Sequence, residues 1–312
     1  MDHLRRLSVI IPTHRRPRQL AACLEALARQ DYPRDRFEVV VVDDGGHTPR
    51  GVVEPFAARL NLNFFAQTRT GPGLARNAGA GRAAGEFLVF TDDDCAPAPD
   101  WLRRLEARLA AEPERMIGGR TLNALPGNVC STASQTLIDY LYGYYNSDPR
   151  AAAFFASNNI ALSARLFREL GGFIPEFHLA AGEDRDLCSR WRTRGHEMTY
   201  APEAVLGHAH PLTLGKFWQQ HFNYGRGAYR FHLARARRGE GRIRVEPLSF
   251  YVNLLLHPFR TRNGSLPVAL AHAALLFLSQ AANAAGFFYE RSCLDGVVVH
   301  SPTRGGKESP PG

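Results

Sequence analysis

The strongest constraint on the fold is a pattern that occurs twice: a short apolar run that ends in adjacent aspartates. Phe37–Val42 is closed by Asp43 and Asp44, and Phe87–Thr91 by Asp92, Asp93 and Asp94. Runs that are apolar at nearly every position read as strands covered on both faces. Leu7–Ile11, Leu62–Ala66 and Met116–Thr121 are further strand candidates. Between them, Pro17–Gln30, Gly73–Ala84 and Pro99–Ala111 carry helical patterns. This alternation predicts an α/β fold, a mostly parallel sheet flanked by helices. Right-handed crossovers gather the strand ends at one edge. Ligands of such sheets bind outside the carboxyl ends of the strands, which is where the aspartates stand.

Composition narrows the classes. The chain has 312 residues, 45% hydrophobic and 22% charged. That suffices for one large core or two small ones and excludes a disordered, fibrous or multi-span membrane protein. The formal net charge is +8, and Arg185–Arg244, with twelve basic and four acidic residues, carries an excess of that size. Such a stretch implies an anionic partner or a solvated helix face. Five cysteines without a C-x-x-C pair argue against a disulfide framework or a zinc site and fit a reducing compartment. The apolar run Leu7–Ile11 is too short for a signal peptide, so a cytoplasmic site is expected.

The middle of the chain is less regular. Helices are expected at Thr132–Tyr145, Arg165–Leu170 and Asp184–Arg194, and strands at Phe154–Leu162, Glu197–Tyr200 and Ala204–Leu206. Thr213–Arg238 reads as a long basic and aromatic helix weakened by Gly225 and Gly227. Asn263–Tyr289 has no Asp, Glu, Lys or Arg and is long enough to cross a membrane. Its His272, Ser279, Gln280 and Asn283 nevertheless form one polar stripe, as on a helix lying in a membrane interface or packed on the domain. The Pro- and Gly-rich tail, residues 301–312, is expected to be disordered.

Three adjacent carboxylates repel one another unless a cation or hydrogen-bond donors compensate. Mg²⁺ and Mn²⁺ favour such oxygen ligands and can also hold substrate phosphates. Turns and helix caps account equally well for Asp43 and Asp44. Gly71-Pro-Gly-Leu-Ala-Arg76 approximates a dinucleotide fingerprint but lacks its third glycine. It reads instead as a helix start, with Arg76 and Asn77 facing a phosphate or pinning neighbouring loops. Glu183 and Asp184 open a helical pattern, where carboxylates cap favourably; a functional carboxylate there would be a general base.

Together, Ser8–Thr13, Val40–Gly45, Gly71–Gly79, Phe90–Asp94, Gly171–Phe173, Gly182–Asp184 and Pro202–His208 resemble an inverting glycosyltransferase of family 2, with the GT-A fold. The resemblance spans residues 8–210. It implies a GT-A catalytic domain over 1–212, with a nucleotide-sugar part to about 125 and an acceptor part from about 126. Residues 213–300 would form a helical extension. It places Asp44 at the nucleotide base beside Pro12 and Thr13, with Arg76, Asn77, Asp92 and Asp93 also on the donor side. Asp92 and Asp94 match a D-x-D motif for Mn²⁺ or Mg²⁺. The triple aspartate leaves open whether Asp93 or Asp94 is the main ligand. His208 is implied as a further metal ligand, with His210 its rival. Asp184 falls at the catalytic base, with Glu183 on the acceptor side. The sequence departs from the family pattern at His14, Arg15 and Gly46, which bears on nucleoside preference.

The implied partners are a nucleoside-diphosphate sugar and a glycan or lipid-linked acceptor, at or anchored to the inner face of the cytoplasmic membrane. Alternatives are an inactive sugar-nucleotide binder and a nucleotidyltransferase. Nucleic acid is not an expected partner, because the strand-end carboxylates would repel its backbone.

Overall fold

In the computed structural model, which describes residues 6–177, 179, 181–240, 245–261 and 265–298, strand β1 (Leu7–Thr13) is buried at every position. Its alternate residues feed two cores. Val9 and Ile11 join Leu20, Leu24 and Leu105, whereas Ile10 joins Val40, Phe90 and Trp191 on the other face. The two-residue period of a strand produces this division. Helix α1 (Pro17–Leu27) leads to β2 (Phe37–Asp44), parallel to β1, and β3 (Leu62–Gln67), parallel to β2. Helix α2 (Pro72–Arg82) then leads to β4 (Phe87–Phe90), parallel to β1 on its other side.

The second half of the sheet is mixed. It comprises β5 (Cys95–Pro97), β6 (Met116–Asn123), β7 (Ile160–Ser163) and β8 (Met198–His208), with helices α3 (Trp101–Ala111), α4 (Val129–Tyr145), α5 (Ala164–Leu170) and α6 (Glu183–Thr193) between them. The order across the sheet is β3-β2-β1-β4-β7-β6-β8-β5. Strand β7 runs antiparallel to both β4 and β6, and β5 antiparallel to β8.

Some element boundaries differ from expectation. The strand expected over Phe154–Leu162 forms only at Ile160–Ser163. Upstream, side chains satisfy the backbone instead of a ladder. Asn146 bonds both the amide and the carbonyl of Phe154, at 3.2 and 2.8 Å. The fully buried Asn159 accepts from Trp101 Nε1 at 2.9 Å and donates to the carbonyls of Arg120 and Ala204. The two short strands expected near 197–206 are one strand, β8, with an irregularity that skips from Ala201 to Val205 opposite Gly119 and Arg120. Pro202 lies in the skipped part, where it has no amide to contribute.

Three helices follow: α7 (Leu214–Arg237), α8 (Leu248–Arg260) and α9 (Leu266–Val298). They share small cores with α4, one built on Ala133, Leu212 and Phe217 and one on Leu137, Leu254 and Leu276. Gly225 and Gly227 do not interrupt α7. A Cβ on Gly225 would lie 1.8 Å from the Asn283 carbonyl oxygen, and one on Gly286 would lie 1.9 Å from that of Phe222. Here α7 and α9 touch backbone to backbone. The polar stripe of α9 faces inward: Ser279 is fully buried, and His272, Gln280 and Asn283 are partly covered. Leu270, Phe277 and Phe288, at 54%, 65% and 60% exposed, face outward. Among the described residues α9 is the one helix long and apolar enough to cross a membrane. The tail at 301–312 lies outside the described residues.

Gly225→Ala should cost about 1–3 kcal/mol in urea unfolding, as overpacking does. Gly215→Ala on the same helix, where an added Cβ meets nothing within 4 Å, should be neutral or slightly stabilising. Equal effects would contradict the close crossing of α7 and α9.

Candidate active site

The carboxyl ends of β1, β2 and β4 meet at one edge, as parallel pairing requires. Asp44, the last residue of β2, turns its carboxylate to the start of α2. Oδ1 accepts from Gln67 Nε2 (3.0 Å), Thr70 N (2.7 Å) and Thr70 Oγ1 (3.2 Å), and Oδ2 from Gly71 N (2.8 Å). Asp43 Oδ2 accepts from Thr48 N at 2.6 Å. Both aspartates therefore shape the loops around the strand end.

Helix α2 carries Arg76 into the protein, where it is only 3% exposed. Its guanidinium reaches Asp92 at 2.6 Å and Glu183 at 3.5 Å and lies 5.6 Å from the centre of the Phe173 ring. Asn77 uses both ends of its amide on the backbone of Phe173, at 2.7 and 2.9 Å. These two bonds pin the loop that carries Phe173 and leave the second N–H of Nδ2 without a partner among these bonds.

The three aspartates after β4 point in different directions. Asp92, the most exposed, faces Arg76. Asp93 turns inward, accepting from Thr13 Oγ1 at 2.7 Å and from Arg16 at 3.2 Å. Burial pushes Asp93 up to about 6, against the opposing pull of Arg16 and Thr13. Asp94 sits 3.1 Å from His208 Nε2 and 3.5 Å from His210 Nδ1, and takes a 2.8 Å bond from Arg16. Burial alone would raise Asp94, but the two imidazoles and Arg16 hold it well below the usual carboxylate range. Burial likewise works to lower His208, and Asp94 reverses that into a net rise.

The register of β5 on β8 makes this cluster. Cys95 pairs with His208, and Ala209 N donates to the Asp94 carbonyl at 2.8 Å. Asp94, Cys95 and His208 bring their ligand atoms within 4.8 Å of one another. Asp92 and Asp93 are not part of that group. Burial, foremost, pushes the Cys95 thiol well up. His210 is oriented from outside the cluster: its Nε2 bonds Gln220 Oε1 at 2.7 Å, leaving Nδ1 toward Asp94. Such outer bonds fix the ring orientation of metal-binding histidines.

Across Arg76 lies the first turn of α6. Gly182, at φ +90°, caps it, and Glu183 and Asp184 follow. Glu183 is buried, and its Oε2 has no hydrogen-bond partner. Burial, then the neighbouring Asp184 charge, raise the Glu183 carboxyl. Burial also raises Asp184, against the backbone amides of Arg185 and Ser157. Asp184 Oδ1 accepts from Arg185 N at 2.7 Å.

Arg16 and Gln220 are functional-site neighbours that sequence reasoning missed. Arg16 stands in a basic loop after β1 without a motif of its own, and Gln220 acts only through the fold. Five arginines of the basic stretch are paired within the protein. Arg190 and Arg238 share Asp186, Arg226 and Arg230 share Glu290, and Arg235 pairs with Glu240.

The sequence profile of glycosyl transferase family 2 matches residues 8–171. The chain is 27% identical over 231 residues to the glycosyltransferase AglE of Haloferax volcanii, covering 71% of this chain and 72% of that one. It is 28% identical to an N-acetylglucosaminyltransferase of Mesorhizobium japonicum and 29% identical to validoxylamine A glucosyltransferase of Streptomyces hygroscopicus. These matches cover 72% and 65% of this chain but only 56% and 55% of those proteins. In structure it is similar to the mannosyltransferase PcManGT of Pyrobaculum calidifontis, solved with GDP-Man and Mn²⁺. That match has TM-score 0.62 and 21% identity and covers 90% and 88% of the two chains. It is also similar to Staphylococcus aureus TarS 1–349 bound to UDP-GlcNAc, with TM-score 0.52, 19% identity and coverage of 93% and 92%. The profile covers more than half of the chain, and on that ground the chain belongs to glycosyl transferase family 2 and is a glycosyltransferase with the GT-A fold.

Proposed function

We propose that the chain transfers a sugar from a nucleoside-diphosphate sugar to an acceptor hydroxyl by a single displacement with inversion. The observation that carries this reading is the division of the acidic cluster by Arg76. On one side Asp94 is kept ionised beside His208 and His210. On the other, Asp184 is raised toward the range where a carboxylate is an effective base. The donors bound by PcManGT and TarS, GDP-Man and UDP-GlcNAc, support the substrate class.

Asp184 takes the proton of the acceptor hydroxyl as that oxygen bonds to the anomeric carbon. The bond from that carbon to the diphosphate oxygen breaks, and the nucleoside diphosphate leaves with the electron pair. Asp94 and His208 would hold a divalent cation, Mn²⁺ or Mg²⁺, with His210 as a second imidazole. An ionised carboxylate beside two imidazoles is a fitting donor set. When bound, such an ion stabilises the negative charge that develops on the departing diphosphate. One protein base then suffices, where a glycoside hydrolase needs a carboxylate pair. Pro12, Thr13, Asp44 and Asp93 line the donor side. Asp44 Oδ2 carries only the Gly71 bond, which leaves it capacity to accept from a nucleotide base. Arg76 and Asp92, paired with each other, belong to the donor side in this reading, and Glu183 to the acceptor side. Family membership removes the support for the nucleotidyltransferase reading, and the presence of Asp94 and Asp184 speaks against an inactive binder.

The acceptor is proposed to be lipid-linked or part of a cell-surface glycan. The relative TarS is named as a poly(ribitol-phosphate) β-N-acetylglucosaminyltransferase. The outward faces of α8 and α9 expose Val252, Leu256, Phe259, Leu270, Phe277 and Phe288 in a region poor in charge. A bilayer surface is the occupant that suits a broad apolar face of this kind. With its polar stripe against α7, α9 lies along that surface rather than crossing it.

Asp184→Asn should lower the turnover of GDP-mannose or UDP-N-acetylglucosamine by about 10²–10⁴-fold. Burial raises the base, so kcat/KM in the parent should fall on acidification with a midpoint above about 3.9, the value of a free aspartate. Turnover within a few-fold of the parent, or an acid limb at or below that value, would count against Asp184 as base. Sedimentation with phosphatidylglycerol vesicles should be lost in the double variant Phe277→Ser, Phe288→Ser. Unchanged sedimentation, or none in the parent, would count against the membrane reading.

A further inference from the structure

The glycines of α7 make a second close contact, on the side toward the active site. A Cβ on Gly227 would lie 2.3 Å from the Ala181 carbonyl oxygen, and one on Gly182 would lie 2.8 Å from that of Gly227. The backbone of α7 thus bears directly on the turn that starts α6, immediately before Glu183 and Asp184. One turn further along α7, Arg230 makes two connections. Its Nη1 donates to the Glu176 carbonyl at 2.8 Å, and its Nε to Glu290 Oε1 at 2.5 Å. Glu290, on α9, is only 1% exposed and also takes a 2.6 Å bond from Arg226 Nε. Charge-assisted bonds of this kind are strong and directional, and a carboxylate buried this deeply depends on its partners.

We propose that Arg230 is a positioning residue for the catalytic base. It ties the segment leading into Glu183 and Asp184 to α7 and, through Glu290, to α9. This rests on the reading of Asp184 as the base. A base must approach its proton within hydrogen-bond distance, and a displacement of about 1 Å can cost about 10²-fold in rate. The Glu176 bond and the Gly227 contact restrain that approach from two directions. Because α9 also carries the outward apolar face, the same connection runs from that face to the base.

Arg226 provides the matched control, since it shares Glu290 but has no bond to the 176–182 segment among the described residues. Hydrolysis of GDP-mannose and UDP-N-acetylglucosamine, with water in place of the acceptor, gives kcat and KM without knowledge of the acceptor. In Arg230→Met, kcat should fall about tenfold or more, with donor KM and Mn²⁺-dependent nucleotide binding unchanged. Amide exchange over Ala181–Arg185 should quicken. Arg226→Met should stay within about twofold of the parent in kcat and leave that exchange unchanged. Arg230→Lys, which keeps the charge and a donor, should recover part of the loss; it also carries the comparison if Arg230→Met does not fold. Equal losses in the Arg230 and Arg226 variants, or a loss in Arg230→Met confined to donor binding, would overturn the proposal. Asp184→Asn is measured in parallel. If it is inactive while the two arginine variants match, only the positioning role fails; if it is active, the base reading fails as well.

Discussion

The site depends on one buried cation. Arg76 bridges Asp92 and Glu183 and sits over Phe173, which Asn77 holds by its backbone. Six acidic residues, Asp43, Asp44, Asp92, Asp93, Asp94 and Glu183, are buried or nearly so around the strand ends. Their repulsion has to be met locally, because removing one partner of a buried pair typically costs about 3–5 kcal/mol. Each is answered by a specific group: Asp43 by the Thr48 amide, Asp44 by the Gln67–Gly71 loop, Asp92 and Glu183 by Arg76, Asp93 by Thr13 and Arg16, Asp94 by His208 and His210. The loop that Asp44 pins is the one that starts α2, and α2 carries Arg76. One loop thus links the end of β2 to the helix that places the cation of the site.

The helical C-terminal part extends the same construction. Glycines at 225, 227 and 286 let α7 approach α9 and the start of α6 with no side chain between. Helix α9 buries Leu276 and Ala282 beside Ser279 and also presents Leu270, Phe277 and Phe288 outward, so it is apolar on both sides. That outward face is the basis of the proposed membrane contact.

Much of this was legible in the sequence. The apolar runs that became β1, β2, β4 and β6 read correctly because strands covered on both faces need no alternation. The aspartates read as a site because carboxylates massed at a sheet edge need compensation. What was hidden depends on register. The three residues of β5 are too short to detect, yet their pairing with β8 puts Asp94 beside His208 and separates it from Asp93. The Phe154–Leu162 run looked like a long strand because the hydrogen bonds made there by Asn146 and Asn159 leave no periodic trace. Gly225 and Gly227 read as weak points of a helix because a sequence does not show what approaches them. The direction of the α9 stripe was open for the same reason.

The central claim is that Arg76 separates a cation- and donor-holding group around Asp94 from the base at Asp184. Calorimetric titration of UDP and GDP, with and without Mn²⁺, tests it most directly in the parent, Asp94→Ala and Asp184→Asn proteins. The account predicts Mn²⁺-dependent binding of one nucleotide that Asp94→Ala abolishes and Asp184→Asn retains. Binding that ignores Mn²⁺, or that both substitutions abolish in folded protein, would contradict it.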